Sequence, residues 1–240
     1  MGKTVQCNFK RYEEKYMLTL RQQKLLLEGI KEYMQPDIYG ETTNCNIYYD
    51  TDRWDLIRRS IEKPVYKEKL RVRSYGVPGP TDSVFIEIKK KYDGVVYKRR
   101  VTLALESSEQ YLAGDKKLSP GNQIGKEIEW FQKIYQVSPK VYIAYDRISF
   151  VGIREPELRI TFDQNIRFRD YALDLKEGDF GARMLPEGTV LMEIKIPGAA
   201  PLWLARLLSV IGVGPTSFSK YGTYYKEYIL GGRKEAGCSA

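Results

Sequence analysis

The 240-residue chain contains no histidine, and that absence removes whole classes of chemistry. A Ser-His-Asp triad, a Cys-His pair, an HExxH zinc site and an imidazole acid–base catalyst all need the missing side chain. Any catalysis therefore falls to carboxylates, Lys, Arg, Tyr or a metal held by oxygen ligands. Cysteine is scarce too. Cys7, Cys45 and Cys238 are odd in number and have no metal-ligand spacing, so a reduced, cytoplasmic protein is expected. Long hydrophobic runs are missing as well. The most apolar stretch, "PLWLARLLSVIGVG", is too short to cross a bilayer and carries Arg206, so it is expected as a buried helix rather than a membrane span. No signal peptide is recognised ahead of the first polar residues. Without a repeat, a low-complexity block or a Pro/Gly-rich linker, one domain over residues 1–230 is expected, followed by a disordered tail over 231–240.

What is present is charge, and mostly of one sign. Lys and Arg number 39 against 31 Asp and Glu, a formal net charge of +8. That excess favours anionic partners without choosing among nucleic acid, lipid and phosphorylated small molecules. Strand patterns occur at about residues 5–17, 44–51, 65–76, 82–92, 95–104, 139–151, 156–168 and 188–196. "KYDGVVY" places Asp93-Gly94 between two of them, a hairpin signal. Helix patterns run from Thr19 to about Met34, then at about 106–113, 122–135, 200–211 and 216–229. Thr19 is the expected N-cap of the first, with Leu25, Leu26, Ile30 and Tyr33 as its apolar stripe. Pro215, Thr216 and Ser217 are the expected start of the last. The resulting class is α+β and mainly antiparallel, and eight strands can close into a barrel with helices outside.

The charges recur at period two. "KEKLRVRSYG" alternates Lys67, Lys69, Arg71 and Arg73, with Leu70 and Val72 on the other side. The same alternation places Arg11, Glu13 and Lys15 in one strand, and Glu87, Lys89 and Lys91 in another. It also places Arg159 and Asp163 together, and Glu193 with Lys195, while Arg147 stands in "AYDRISF". One reading is a sheet with helices on its apolar side and these charges in water. The other is a closed barrel with the charges in its lumen, where so many cations require an enclosed polyanion.

"RYEEKY", "IYYDT", "RVRSYG", "FIEIKKK", "YDRISF", "LRITFD", "VLMEIK" and "SFSKY" together resemble the VTC domain. This is the polyphosphate polymerase branch of the triphosphate tunnel metalloenzymes. The resemblance implies an eight-stranded antiparallel tunnel that binds triphosphate through Arg and Lys, with a divalent metal, Mn²⁺ or Mg²⁺, on carboxylates. It implies transfer of the γ-phosphoryl group of ATP to a growing polyphosphate chain, with pyrophosphate or triphosphate among the ligands. The family's phosphate-binding positions fall on Lys15, Arg71, Arg73, Lys89, Arg147, Arg159 and Lys220. Its metal carboxylate falls on Glu193. A further arginine is Arg58 or Arg59, with Arg59 preferred. Glu13 is a possible second metal ligand, and Asp163 is either a metal ligand or an arginine's partner. Lys69 and Lys195 line the path or balance charge, and Lys67 has no assigned role. Where hydrolytic relatives begin Glu-x-Glu-x-Lys, this chain has Arg11-x-Glu13-x-Lys15. The lost carboxylate favours the polymerase branch over the triphosphatases.

Phosphoryl transfer needs positioning and charge neutralisation more than an acid–base residue, which suits a chain without histidine. The rivals are a triphosphatase of the same fold and a non-catalytic polyphosphate-binding module. Nucleic acid is not expected as a partner, because no nucleic-acid-binding module is recognised. Oligomeric state is left open.

Overall fold

Period-two alternation buries one side of a strand and leaves the other to polar groups. It organises the computed structural model, which describes residues 12–93, 95–119 and 121–232. The elements follow in the order β1 (Tyr12–Thr19), α1 (Leu20–Ile30), β2 (Met34–Asp50), α2 (Asp55–Ile61), β3 (Tyr66–Tyr75), β4 (Ser83–Tyr92) and β5 (Val95–Ala104). Next come α3 (Leu105–Ala113), α4 (Gln123–Tyr135), β6 (Ser138–Gly152), β7 (Arg159–Arg169), β8 (Ala182–Arg183), β9 (Thr189–Ile196), α5 (Leu202–Ile211) and α6 (Lys220–Tyr224). A π-helical turn, Tyr225–Leu230, continues α6.

The strands hydrogen-bond in the order β1-β9-β7-β6-β2-β3-β4-β5, and the two-residue β8 pairs with β7. An α+β architecture with a large antiparallel sheet is therefore as expected. Closure into an eight-stranded barrel is not shown. Among the described residues the order is open, with β1 and β5 at its ends.

The chain forms two compact units. The first holds the described residues up to Glu41, Arg147–Gln164 and Pro186–Ser217; the second holds Thr42–Asp146, Asn165–Leu185 and the chain from Phe218. In the first unit, Tyr16 and Leu18 of β1, Ile160 and Phe162 of β7, and Val190, Met192 and Ile194 of β9 are buried with Leu26 and Ile30 of α1 and Leu204 and Leu208 of α5. In the second, Leu70, Val72, Val84, Ile86, Ile88 and Val101 of β3 to β5 are buried with Tyr111 of α3 and with Ile128 and Phe131 of α4. Each fully buried aliphatic side chain contributes about 1.5–3 kcal/mol. In both units the buried set is the apolar half of the alternation.

Thr19 caps α1 through a capping box, its side chain accepting from the Gln22 N–H while the Gln22 side chain accepts from the Thr19 N–H. Of the expected stripe, Leu26 and Ile30 are buried, whereas Leu25 is 48% exposed and Tyr33 is 37% exposed. Tyr33 stacks on Trp203, with ring centroids 4.2 Å apart. In the hairpin, Tyr92 pairs with Val95, and Asp93 takes a positive φ of 43°, as a two-residue turn requires.

Three boundaries differ from expectation for identifiable reasons. The last helix begins at Lys220, not near Thr216, because Pro215 bridges to Tyr16 and the Thr216 N–H donates to the Lys15 carbonyl at 2.6 Å. Helix α2 went unseen because its N-cap, Trp54, lies in the left-handed region and makes no side-chain cap. Its free N–H groups are satisfied by the Asp50 carboxylate, which accepts from Leu56 at 2.9 Å and Ile57 at 3.0 Å. Strand β2 begins ten residues early, through the mostly exposed stretch from Gln35 to Thr43, where no alternation marks it. The expected first-strand positions before Tyr12 and all but the first two residues of the expected tail lie outside the described residues.

Candidate active site

The polar half of the alternation forms a charged face in each unit. In the second unit the antiparallel register sets it out in rows. Asn46, Arg73, Phe85 and Thr102 make one row, and Tyr48, Arg71, Glu87 and Arg100 the next. Lys69, Lys89 and Lys98 follow, then Lys67 beside Lys91.

Arg71 donates through Nε to Glu87 at 2.7 Å and through a terminal nitrogen to the Tyr48 hydroxyl at 3.3 Å. Glu87, 2% exposed, also takes the Lys98 ammonium at 2.7 Å. Burial pushes the Glu87 carboxyl up, but Arg71, Arg73 and Lys98 overcome it and hold the group down at about 2. Arg73 is buried and donates only to neutral groups, Asn46 Oδ1 at 2.8 Å and the Tyr145 hydroxyl at 3.0 Å. Among the described residues it forms no ion pair. A buried guanidinium whose charge no carboxylate answers has the chemistry to take an incoming anion. Burial raises the Tyr48 hydroxyl and Arg71 lowers it, Tyr145 raises it, and Arg73 and Lys69 lower it; the net direction is down.

Helix α6 carries two more polar groups to this face. Ser219 caps the helix by accepting from the Gly222 N–H, and its hydroxyl lies 3.5 Å from Lys69 Nζ. Lys220 Nζ stands 4.1 Å from the centre of the Tyr145 ring. The helix is anchored by the Tyr221 hydroxyl, which donates to buried Asp50 at 2.8 Å. Arg58 and Arg59 both lie exposed on α2, but Arg59 shares a small cleft with Lys67 and Glu68. Lys89 is exposed on β4.

In the first unit, Lys15 and Thr161 flank Glu193 across the strands, and Glu13 and Arg159 flank Lys195. Lys195 Nζ lies 2.5 Å from Glu193 Oε1, and Lys15 Nζ lies 4.0 Å from Oε2 and 3.6 Å from Glu13. Burial raises the Glu193 carboxyl, but Lys195, Arg147 and Lys15 drive it well below the usual carboxylate range. Arg147 grips Asp163 with two parallel bonds of 2.5 and 2.8 Å, and Asp163 is fully buried. Asp163 therefore stands as an arginine's partner in this arrangement. Arg159, its side chain 58% exposed, reaches Asp37 at 3.7 Å. Arg11 lies outside the described residues.

A divalent cation suits one point on this face. Glu193 is anionic and largely buried, and beside it Thr161 presents a buried hydroxyl oxygen with no hydrogen-bond partner. Both are hard oxygen donors of the kind Mg²⁺ and Mn²⁺ take. Among the described residues no group of three or more Cys, Asp or Glu could hold a metal ion. A cation here would thus draw most of its shell from substrate oxygens and water.

Sequence reasoning passed over Asn46, Tyr48, Tyr145 and Asp50, and it placed Thr161 between Arg159 and Asp163 on the charged side of its strand without a role. "CNIYYD" alternates Asn46 and Tyr48 against Cys45, Ile47 and Tyr49, a signal that was present but carried no charge. Tyr145 was hidden because Val141 to Tyr145 are all buried and show no alternation.

A protein from Bacillus halodurans described as a candidate adenylate cyclase matches 86% of this chain and 92% of its own, at 13% identity and a TM-score of 0.53. A candidate adenylyl cyclase from Hippeastrum, described as having a dominant triphosphatase activity, matches 89% of this chain and 94% of its own, at 14% identity and a TM-score of 0.52. At such identities the likeness speaks for the fold alone. No curated protein matches in sequence. The VTC domain family model matches residues 10–228, a span that takes in both charged faces and helix α6, and the chain belongs to that family.

Proposed function

We propose that the chain is an ATP-dependent polyphosphate polymerase, a transferase that passes the γ-phosphoryl group of ATP to a polyphosphate end in a tunnel of its family's kind. The observation that carries the phosphate-binding part is buried Arg73, a cation held among the described residues by Asn46 and Tyr145 alone. Arg71 and Arg73 grip phosphate oxygens through their planar forks, and Lys69, Lys89 and Lys220 add point charges. Arg59 extends this set from α2. In the first unit, Lys15, Arg147, Arg159 and Lys195 are the cations that meet substrate oxygens. Glu193 would hold Mg²⁺ or Mn²⁺, with Thr161 beside it and Glu13 across Lys15. When bound, the metal neutralises charge on phosphate oxygens. A terminal phosphate acceptor is already ionised near neutral pH, so the missing histidine costs the reaction nothing.

The test is incubation of the purified chain with ATP and either metal, with products resolved by size. Long-chain polyphosphate is the expected product. Free phosphate without polymer would instead identify a triphosphatase. Binding without turnover across metals would identify a polyphosphate-binding module.

A further inference from the structure

Helix α5 comes from the most apolar stretch of the chain, which its sequence assigns to the core. Only one side of the helix goes there. Leu204 and Leu208 are buried in the first unit's core, while Leu202 is 65% exposed and Val210 is 85% exposed. Leu202, Arg206 and Val210 follow one another at intervals of four, which puts them on one face of the helix. Helix α1 packs directly against α5, so closely that a Cβ on Gly29 would lie 2.5 Å from the Leu207 side chain. Exposed on α1 are Arg21, Lys24 and Leu25. Between the two helices Leu25, Leu207, Val210 and Ile211, with Arg21, line an open groove of about 570 Å³. Trp203 of α5 is partly buried and stacks on the partly exposed ring of Tyr33.

Among the described residues Arg21, Lys24 and Arg206 form no ion pair. Of the acids nearby, Glu28 is answered by Lys31 at 2.7 Å and Glu32 lies past the end of α1, while α5 carries none. Exposed aliphatic groups, a tryptophan beside a tyrosine and unpaired cations on adjoining helices suit the headgroup layer of a membrane. There the aliphatic groups enter the acyl boundary, the rings sit at headgroup level and the cations meet anionic lipid. The long stems of Arg and Lys let their charges stay in the polar layer while the helices lie flat on it. We propose that the α1–α5 face of the first unit docks on an anionic lipid surface. This is a peripheral contact, since among the described residues no helix is long and apolar enough to cross a membrane. A protein helix is the poorer occupant. It would fill the groove with its own side chains, whereas Leu202 and Val210 themselves stand out from the surface and need a soft phase to enter. The inference does not rest on the reaction proposed for the charged strands.

The test is co-sedimentation of the purified chain with vesicles of phosphatidylcholine alone, and of phosphatidylcholine and phosphatidylserine at roughly three to one. Excess inorganic triphosphate is present throughout, to occupy the basic strands of the second unit. The wild type is compared with Leu202→Gln/Val210→Gln, which keeps every charge, with Arg21→Gln/Arg206→Gln, and with the charge-keeping Arg21→Lys/Arg206→Lys. All four positions are exposed, and thermal melts confirm that the variants fold. The wild type is expected to bind the anionic vesicles and not the neutral ones. The leucine–valine pair is expected to lose about tenfold. Arg21→Gln/Arg206→Gln is expected to lose about twentyfold, with a shallower salt dependence, and the lysine pair to retain binding. Absence of binding, equal binding to neutral and anionic vesicles, or binding that the leucine–valine pair leaves unaltered would each overturn the proposal. A wild-type dimer in vesicle-free solution that the same pair dissolves would assign the face to a second copy and overturn it as well. Vesicle binding by a chain that makes no polymer from ATP would uphold the lipid contact and remove the polymerase reading.

Discussion

The two charged faces differ in how their cations are answered. In the first unit each cation discussed has an acid beside it: Lys15 between Glu13 and Glu193, Lys195 on Glu193, Arg147 on Asp163 and Arg159 near Asp37. In the second unit Glu87 serves both Arg71 and Lys98, while among the described residues Arg73 donates only to neutral groups. On the proposed reading, a balanced face takes up a cation together with its anion, with Glu193 exchanging an ammonium for a metal. On the same reading, Arg73, with no carboxylate in contact among the described residues, takes an anion alone. Similar alternation thus yields two different chemistries, and the acids placed between the cations decide which.

The sharpest way to break this comparison is at Glu193. Glu193→Gln should lower metal-dependent turnover about thousandfold, read as product formed against metal concentration. Its melting temperature should fall as well, because Lys195, Arg147 and Lys15 favour the ionised Glu193 carboxylate in the fold, so turnover is read below the variant's melting temperature. Turnover near the wild-type level would take Glu193 out of the site.

The matching change on the other face acts on stability as well as on binding. Arg71→Ala leaves Glu87 buried with Lys98 as its remaining ion-pair partner, and should cost about 3 kcal/mol in a denaturant titration. Glu87 also dictates an acid dependence. Its folded pKa, about 2, lies below the ordinary 4.5. Its stabilisation is therefore complete above about pH 4.5 and is lost as pH falls toward 2, amounting to about 3 kcal/mol. Glu87→Gln should flatten that part of the stability–pH profile; an unaltered profile would show that the carboxylate is not the group responsible.

The smallest expected effect lies at the anchor of α6. Tyr221→Phe keeps the stack on Tyr48 but removes the donor to Asp50, and should cost about 1 kcal/mol. A several-fold rise in KM for the phosphate donor at near-constant kcat would show that the bond positions Lys220 and Ser219 rather than only stabilising the fold.

Much of this was legible without coordinates. Leu70, Val72, Ile86, Ile88, Ile160 and Met192 declared themselves as the apolar half of their strands, and Arg71, Arg73, Lys89, Glu193 and Lys195 as the charged half. A period of two needs only the neighbouring residues to be read. Thr19 as a helix cap was legible for the same reason, since a capping box spans four residues. Helix α2 was not, because its cap is a carboxylate from the preceding strand and its own N-cap residue is a tryptophan.

The sequence by itself therefore determined the class of fold, the two sides of each strand, the family and the absence of imidazole chemistry. These are properties of composition and of short-range periodicity. The tertiary structure decided the partners. It placed Asp163 under Arg147, set Glu87 between Arg71 and Lys98, left Arg73 to Asn46 and Tyr145, and brought Lys220 over the ring of Tyr145. Which cation meets an acid depends on register between strands distant in the chain, and no local pattern encodes that register. That pairing separates Arg147, held by a buried carboxylate, from Arg73, held by an amide and a phenol.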